Sequence, residues 1–331
     1  MPENAITVAG GGSWGTALAH LLAVNGHRPC LWLRDAALAE AINTRRENPR
    51  YLPGLPLHTV LRATTDVAVL AAPLLVLAIP CQRLRAWLKE YAACFLPGLT
   101  LVNAAKGLEI GTYCTCSQVV EQTLAALNPT YAALSGPSFA ADVLRGLPTA
   151  VVLACKNTDQ GHTLRDLFSS GTFRCYSSQD VTGVELGGAL KNVMAIAAGV
   201  CDGLGLGLNS RAALVTRGLA EMRRLGVARG AQARTFMGLS GLGDLVLTCT
   251  GDLSRNRQVG LRLGRGEKLQ DITASLGMVA EGVATTQAVH DMAQRMGVDA
   301  PLTDAVYAIV YAGRQPGEVL RELLSRRLRD E

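Results

Sequence analysis

Hydrophobic and polar positions change their period about halfway along the chain. In the first half, short aliphatic and β-branched runs alternate with stretches of helical spacing. AITVAG (5–10), RPCLWLRD (28–35), LLVLAIP (74–80), LTLVNAAKG (99–107), YAALSGPSF (131–139) and TAVVLAC (149–155) read as strands. SWGTALAHLLAVNG (13–26), stopped by Gly26, and the stretch 84–91 read as helices between them. Strands that are apolar throughout, separated by helices, predict a parallel sheet covered on both faces, the doubly wound Rossmann-type α/β class. From about Val184 the β-branched runs end and helical periodicity takes over. Asn209 or Ser210 is expected to cap a helix through Leu225, and Ser254 one through Leu263. Helices are further expected over Glu281–Met296 and over 302–312, the latter opened by Pro301. The chain therefore reads as a dinucleotide-binding domain (1–183) followed by an all-helical substrate domain (184–331). The apolar helix containing Lys191 is expected to belong to both and to wall a cleft.

Length and composition agree with this division. The 331 residues are ample for two domains, and 49% hydrophobic against 18% charged residues argues against disorder and for a large core. A net charge of +5 suits a small anionic ligand. No basic stripe interleaved with aromatics is present, so nucleic acid is not expected as a partner, and RELLSRRLRDE near the end reads as a solvated helix face. The nine cysteines form no CxxC, only the CxC of Cys114 and Cys116, and no zinc-type cluster with histidine. No metal is expected, and the thiols read as buried apolar groups in a reducing compartment. The start of the chain lacks the pattern of a signal peptide. The longest apolar run, 67–80, has 14 residues with a proline inside, too short for a bilayer of about 30 Å. A cytoplasmic location without stable membrane insertion is expected.

GGGSWG (10–15) fits G-x-G-x-x-G between a strand and a helix, the context that pattern requires. Gly10 would make the tight turn, Gly12 would admit a diphosphate, and Gly15 would allow helix and strand to approach. The diphosphate would rest on the N–H groups opening the helix. At the end of the second strand an acid binds the ribose 2′-hydroxyl, whereas an arginine accommodates a 2′-phosphate. Arg34 points to NADPH as the preferred cofactor, and Asp35 keeps NADH admissible.

Four polar clusters interrupt apolar or glycine-rich sequence. NAAKGLE places Lys106 just after a strand, at the carboxyl edge where α/β ligands bind. SGPSFA sets Gly136, Ser138 and Ala140 in a tight turn. Lys191 and Asn192 lie on the apolar helix. GLGDLVLTCTGDLSRNR carries Asp244, Thr248, Ser254, Arg255 and Asn256. With Ser254 as N-cap, Arg255 and Asn256 fall in a first helical turn, where backbone N–H groups, a guanidinium and an amide suit a substrate phosphate. A partly desolvated lysine can protonate a carbonyl oxygen as hydride reaches the carbon, and can stabilise the alkoxide. Asp244 is expected to hold the Lys191 ammonium and offset its burial. Asn192, about 100° further round the helix, need not serve the same atom. The competing reading of Lys191 is a side chain that reaches water from a core helix. The five histidines (20, 27, 58, 162 and 290) belong to no motif.

GGGSWGTALA, NAAKGLE, SGPSFA, GVELGGALKNVMAIAAGVCDGLGLG, TRGLAEM, GLSGLGDLVLTCTGDLSRNR and VAEGVATT follow one another along nearly the whole chain. In that order they resemble the bacterial-type NAD(P)-dependent glycerol-3-phosphate dehydrogenase family. The resemblance implies reversible reduction of dihydroxyacetone phosphate to sn-glycerol 3-phosphate, a precursor of glycerophospholipids, by a protein that often dimerises. It implies that Lys191 is the proton donor and acceptor. Lys106, Gly136, Ser138, Asp244, Ser254, Arg255 and Asn256 match its substrate contacts, with Lys106 and Arg255 also near the cofactor. Ser13, Trp14, Arg34, Tyr51, Ala140, Val279 and Glu281 match its cofactor positions. The extra glycine in GGG departs from the commoner G-x-G, and Asp299, Ala300 and the C-terminal tail carry no family signature. Two rival readings stand beside it. One is a dehydrogenase of similar architecture whose substrate bears a carboxylate in place of the phosphate. The other is an NADPH-sensing protein without turnover.

Overall fold

The computed structural model describes residues 5–276 and 280–327. The chain forms two compact units, one of Met1–Lys106 with Cys116–Val184, the other of Gly107–Thr115 with Glu185–Glu331. The excursion Gly107–Thr115 goes with the second unit because Leu108 and Tyr113 are buried in its core. Arg229 also donates to the Tyr113 carbonyl at 3.2 Å, and Arg295 lies over the Tyr113 ring.

The strands in chain order are β1 (Ile6–Ala9), β2 (Cys30–Trp32), β3 (Glu47–Asn48), β4 (Leu52–Pro56), β5 (Arg62–Thr64), β6 (Leu74–Leu77), β7 (Thr100–Asn103), β8 (Thr130–Ser135), β9 (Thr149–Cys155) and β10 (Phe173–Ser178). Eight build one sheet in the order β10-β9-β8-β7-β6-β1-β2-β5, and β3 and β4 form a separate antiparallel hairpin. The central strands β1 and β6 are buried at every position; β6 is apolar throughout, and in β1 the one polar residue, Thr7, donates its hydroxyl to the Val69 carbonyl at 2.6 Å. The sheet is parallel except between β8 and β9, which pair antiparallel, Ala132 facing Cys155 and Ser135 facing Val152. The expected doubly wound parallel sheet is thus present, with this one antiparallel pair as a local exception. Between β8 and β9 the chain has only the five-residue helix Ala140–Leu144, a rise of about 7.5 Å, and not the longer crossover helix that usually joins parallel neighbours. β10 had no apolar run to announce it: it alternates buried Phe173 and Cys175 with exposed Arg174 and Tyr176, the pattern of an edge strand.

The second unit is helical. Its axis is the helix Val181–Gly203, 23 residues long, into which the first unit's last residues lead. By length and composition it could cross a membrane, with a mean hydropathy of 1.3, yet the whole of that apolar window is buried inside the protein. It is thus a core helix and the most apolar long element; the run 67–80 is broken into the 3₁₀ turn Val67–Leu70 and β6. Glycines let Val181–Gly203 touch the helix Arg255–Gly264 backbone to backbone. A Cβ on Gly199 would stand 2.1 Å from the Arg257 carbonyl oxygen, and one on Gly260 2.0 Å from that of Ile196. The helix expected to be capped by Asn209 or Ser210 instead starts at Gly207 and runs to Ala228. Gly205 and Gly207, with φ of +70° and +82°, turn the chain earlier, and Ser210 Oγ donates back to the Leu206 carbonyl at 3.0 Å. Glu281–Met296 forms as expected, and Pro301 opens a helix that ends at Val310.

The Pro301 helix is capped from a distance. Glu221, 1% exposed, accepts from the backbone N–H groups of Leu302 and Thr303, both at 2.9 Å, and from Thr303 Oγ1 at 2.7 Å. Burial raises the pKa of its carboxyl, and the three donors offset this only in part. The folded protein therefore holds that proton more tightly than the unfolded chain. The stability this gives is present below about pH 4.5 and is lost as pH rises through the raised value. In thermal melts, the wild type should lose stability relative to Glu221→Gln as pH rises from 4.5; a difference between the two that does not move with pH would contradict this.

Candidate active site

In the first unit, β1 ends at the glycine turn. Gly10 has φ +123°, and a Cβ there would stand 2.5 Å from the Ala78 carbonyl oxygen. A Cβ on Gly15 would lie 1.9 Å from the Gly10 carbonyl oxygen, so helix Ser13–Val24 leaves β1 at a distance only glycine permits. Gly12, by contrast, has nothing among the described residues, its chain neighbours aside, within 4 Å of the place its Cβ would occupy. It is the N-cap of that helix and no side chain caps the turn, so the opening N–H groups of Ser13, Trp14 and Gly15 have no intrahelical acceptor. Trp14 Nε1 is buried without a hydrogen-bond partner among the described residues. Gly11, the departure from G-x-G, has its own reason: a Cβ would meet Leu33 Cβ at 2.8 Å. Tyr51 and Ala140 are half-buried against the same core cluster as Trp14.

Arg34 is exposed beyond β2, and among the described residues no hydrogen bond or ion pair holds its guanidinium. Asp35 is engaged: its Oδ1 accepts from Leu38 N at 3.0 Å as N-cap of the helix Ala36–Arg45. Lys106, Gly136 and Ser138 come together. The Gly136 carbonyl accepts from Lys106 Nζ at 3.2 Å and from Ser138 Oγ at 3.0 Å. Gly136 itself needs to be glycine, with φ +149° and Val151 Cα 2.8 Å from its hypothetical Cβ.

In the second unit, Lys191 Nζ lies 2.6 Å from Asp244 Oδ1 and 2.7 Å from Thr248 Oγ1. The lysine and aspartate side chains are 9% and 2% exposed, so this is the buried ion pair that the apolar helix requires. Local sequence explains the meeting. Gly187, one turn before Lys191, admits the wide π-type turn Leu239–Gly243, whose Ser240 carbonyl oxygen would be 2.5 Å from a Cβ there. That turn delivers Asp244 at the head of helix Asp244–Thr250. Thr248, four residues on, shares its face and donates to the Asp244 carbonyl at 2.6 Å, which leaves a hydroxyl lone pair for the ammonium. Neighbouring Cys249 is inert: burial pushes its thiol up to about 12 despite the pull of Lys191.

Asn192 and Asn256 form a second, structural knot. Asn256 Nδ2 donates to Asn192 Oδ1 at 2.9 Å, and its Oδ1 accepts from Gly282 N at 2.9 Å, tying three helices together. Ser254 caps Arg255–Gly264, accepting from Arg257 N at 3.2 Å. Arg255 is exposed on the first turn and carries no hydrogen bond or ion pair among the described residues. Glu281 opens its helix half-buried, and Val279 lies outside the described residues.

Sequence reasoning passed over Arg257 and Asp202. Arg257 Nε and Nη2 lie 2.9 and 2.7 Å from Asp202 Oδ2, and its Nη1 2.8 Å from Asp252 Oδ1. Burial disfavours its charge, but the two carboxylates more than compensate and raise its pKa. The available signal was spacing: two residues past Arg255, Arg257 points about 200° away and into the protein. Asn48 was also missed; it has no sequence motif, yet it is fully buried beside the glycine turn.

A glycine turn open for a diphosphate on a predominantly parallel sheet, followed by a helical unit with a buried lysine–carboxylate pair, defines an NAD(P)-dependent dehydrogenase of the two-domain kind. The family model described as NAD-dependent glycerol-3-phosphate dehydrogenase N-terminus matches residues 5–161, and its C-terminal counterpart matches 180–321. The chain belongs to this family. It is 70% identical over 326 residues to a protein of Desulfovibrio desulfuricans named glycerol-3-phosphate dehydrogenase [NAD(P)+], with 98% of each chain covered. A protein of the same name from Nitratidesulfovibrio vulgaris is 59% identical, over 98% of this chain and 99% of its own. The crystal structure of glycerol-3-phosphate dehydrogenase from Coxiella burnetii superposes with a TM-score of 0.93 at 38% identity, covering 97% of this chain and 98% of that one.

Proposed function

We propose that the protein reduces dihydroxyacetone phosphate reversibly to sn-glycerol 3-phosphate with NAD(P)H, feeding glycerophospholipid synthesis. The observation that carries the chemistry is the buried Lys191 ammonium held by Asp244 and Thr248. Family membership and the relatives' names support the substrate. The glycine turn fits the cofactor: the space above Gly12, the uncapped N–H groups and the unpartnered Trp14 Nε1 suit a bound dinucleotide. When bound, the cofactor supplies a hydride to C2 of the ketone. Lys191 gives the ketone oxygen its proton, and in the reverse direction takes it back. Asp244 keeps the ammonium oriented through both directions. Lys106, Gly136, Ser138 and Ser254 contact substrate. NADPH is the preferred cofactor, since Arg34 is uncommitted while Asp35 already caps a helix.

Arg255, exposed on a helical first turn, docks the substrate phosphate. Arg255→Ala should raise KM for dihydroxyacetone phosphate roughly 10- to 100-fold with little change in kcat, as loss of a charge-assisted hydrogen bond implies; an unchanged KM contradicts the assignment.

The chain works in the cytoplasm as a homodimer. Nine cysteines, eight of them buried, favour a reducing compartment, and light scattering that gives a one-chain mass would reject the dimer. The direct test of the reaction is loss of reduced-nicotinamide absorbance with NADPH or NADH, using dihydroxyacetone phosphate and unphosphorylated dihydroxyacetone. Loss only with the phosphorylated ketone supports the reading. No loss with either coenzyme sinks it.

A further inference from the structure

We propose that Arg50 sets the choice between phosphorylated and unphosphorylated dinucleotide by neutralising Asp35; this rests on the reading that the glycine turn holds NAD(P). Asp35 stands just past β2, where an acid accepts the ribose hydroxyls and an uncompensated carboxylate repels a 2′-phosphate. Its two oxygens have different engagements. Oδ1 caps Ala36–Arg45 through Leu38 N, and Oδ2 lies 3.5 Å from Arg50 Nη1.

The position of Arg50 is fixed from the glycine turn itself. Asn48 donates through Nδ2 to the Gly11 carbonyl at 3.0 Å and to Thr16 Oγ1 at 2.8 Å, and accepts from Tyr51 N at 3.1 Å. The turn between β3 and β4 is thereby latched to the residues that would carry the diphosphate. Arg50 is the long side chain on that turn, its guanidinium 5.3 Å from the centre of the Tyr51 ring. Arg50 and Asp35 are 59% and 47% exposed, so their pair is weak and exchangeable. A 2′-phosphate, a stronger bidentate acceptor, can share the guanidinium while Asp35 stays beside it, with Arg34 adding a second one. Without Arg50, Asp35 keeps its charge and favours the hydroxyl form of the ribose.

The test is equilibrium binding of NADPH and NADH to the whole protein, followed by nicotinamide fluorescence, with 2′-AMP and 5′-AMP as competitors. Arg50→Gln should weaken NADPH and 2′-AMP by roughly 10- to 100-fold, with NADH and 5′-AMP unchanged or tighter. Adding Asp35→Asn to it should recover part of the NADPH loss, because the repelling charge is gone. A wild-type protein that binds neither dinucleotide overturns the cofactor reading and this inference with it. A wild type that binds both, with the NADPH-to-NADH affinity ratio the same in Arg50→Gln, overturns the role of Arg50 alone.

Discussion

Lys191→Met is expected to slow reduction of dihydroxyacetone phosphate by roughly 10²- to 10⁴-fold, the loss typical of a missing general acid, while NADPH binding is kept. Two roles of Lys191 must be separated to read that result. The ammonium also balances Asp244, which is 1% exposed, and breaking a buried pair by removing one partner costs about 3–5 kcal/mol. A slow enzyme that has partly unfolded would say nothing about proton transfer. The double variant Lys191→Met, Asp244→Asn removes the stranded charge. The amide oxygen introduced at position 244 can still accept from a neighbour, so most of the lost thermal stability should return. The rate should not return, because neither methionine nor asparagine can protonate an alkoxide. A folded double variant with near-wild-type kcat would remove Lys191 from the proton step and leave it a structural ion pair.

How much of this site could be read without coordinates depended on whether a residue's task is written in its neighbours along the chain. The glycine turn was legible because strand, turn and helix are contiguous. Even Gly11, which looked like a departure, answers to a residue far along the chain, Leu33. The ion pair of Lys191 with Asp244 was anticipated from cost alone: an ammonium in an apolar helix needs a partner, and Asp244 is a carboxylate in an equally apolar stretch. In the sequence Arg34 pointed to NADPH, and Asp35 beside it kept NADH admissible. Only the backbone shows that one caps a helix and the other projects into solvent. Asn256 read as a phosphate ligand beside Arg255, and the fold shows its amide tying helices together. The direction of β9 could not be read because apolar content marks a strand and not which way it runs, and β10 escaped notice because it alternates buried and exposed residues and has no apolar run. Asn48, with its contacts spread over three segments, left no local pattern to find.

The largest effect on cofactor binding is expected from one methyl group on Gly12. Its backbone angles, φ −72° and ψ 178°, suit alanine, and among the described residues no atom beyond its chain neighbours lies within 4 Å of the new Cβ. As an N-cap, alanine in place of glycine costs at most about 1 kcal/mol, so Gly12→Ala should fold and melt close to wild type. The methyl group would nevertheless occupy the space that a diphosphate needs to reach the opening N–H groups of the helix. Loss of two charge-assisted hydrogen bonds should weaken NADPH and NADH alike by roughly 10²-fold or more. Gly15→Ala should fail differently. Its Cβ would lie 1.9 Å from a backbone oxygen, so the helix must move away from β1, which costs roughly 1–3 kcal/mol or more and should lower Tm before any ligand is added. The contrast between the two variants separates a place reserved for a ligand from a place where two pieces of backbone touch. A Gly12→Ala protein that binds both dinucleotides as tightly as wild type would leave the open space above the turn without a function, and the diphosphate would have to be sought elsewhere in the first unit.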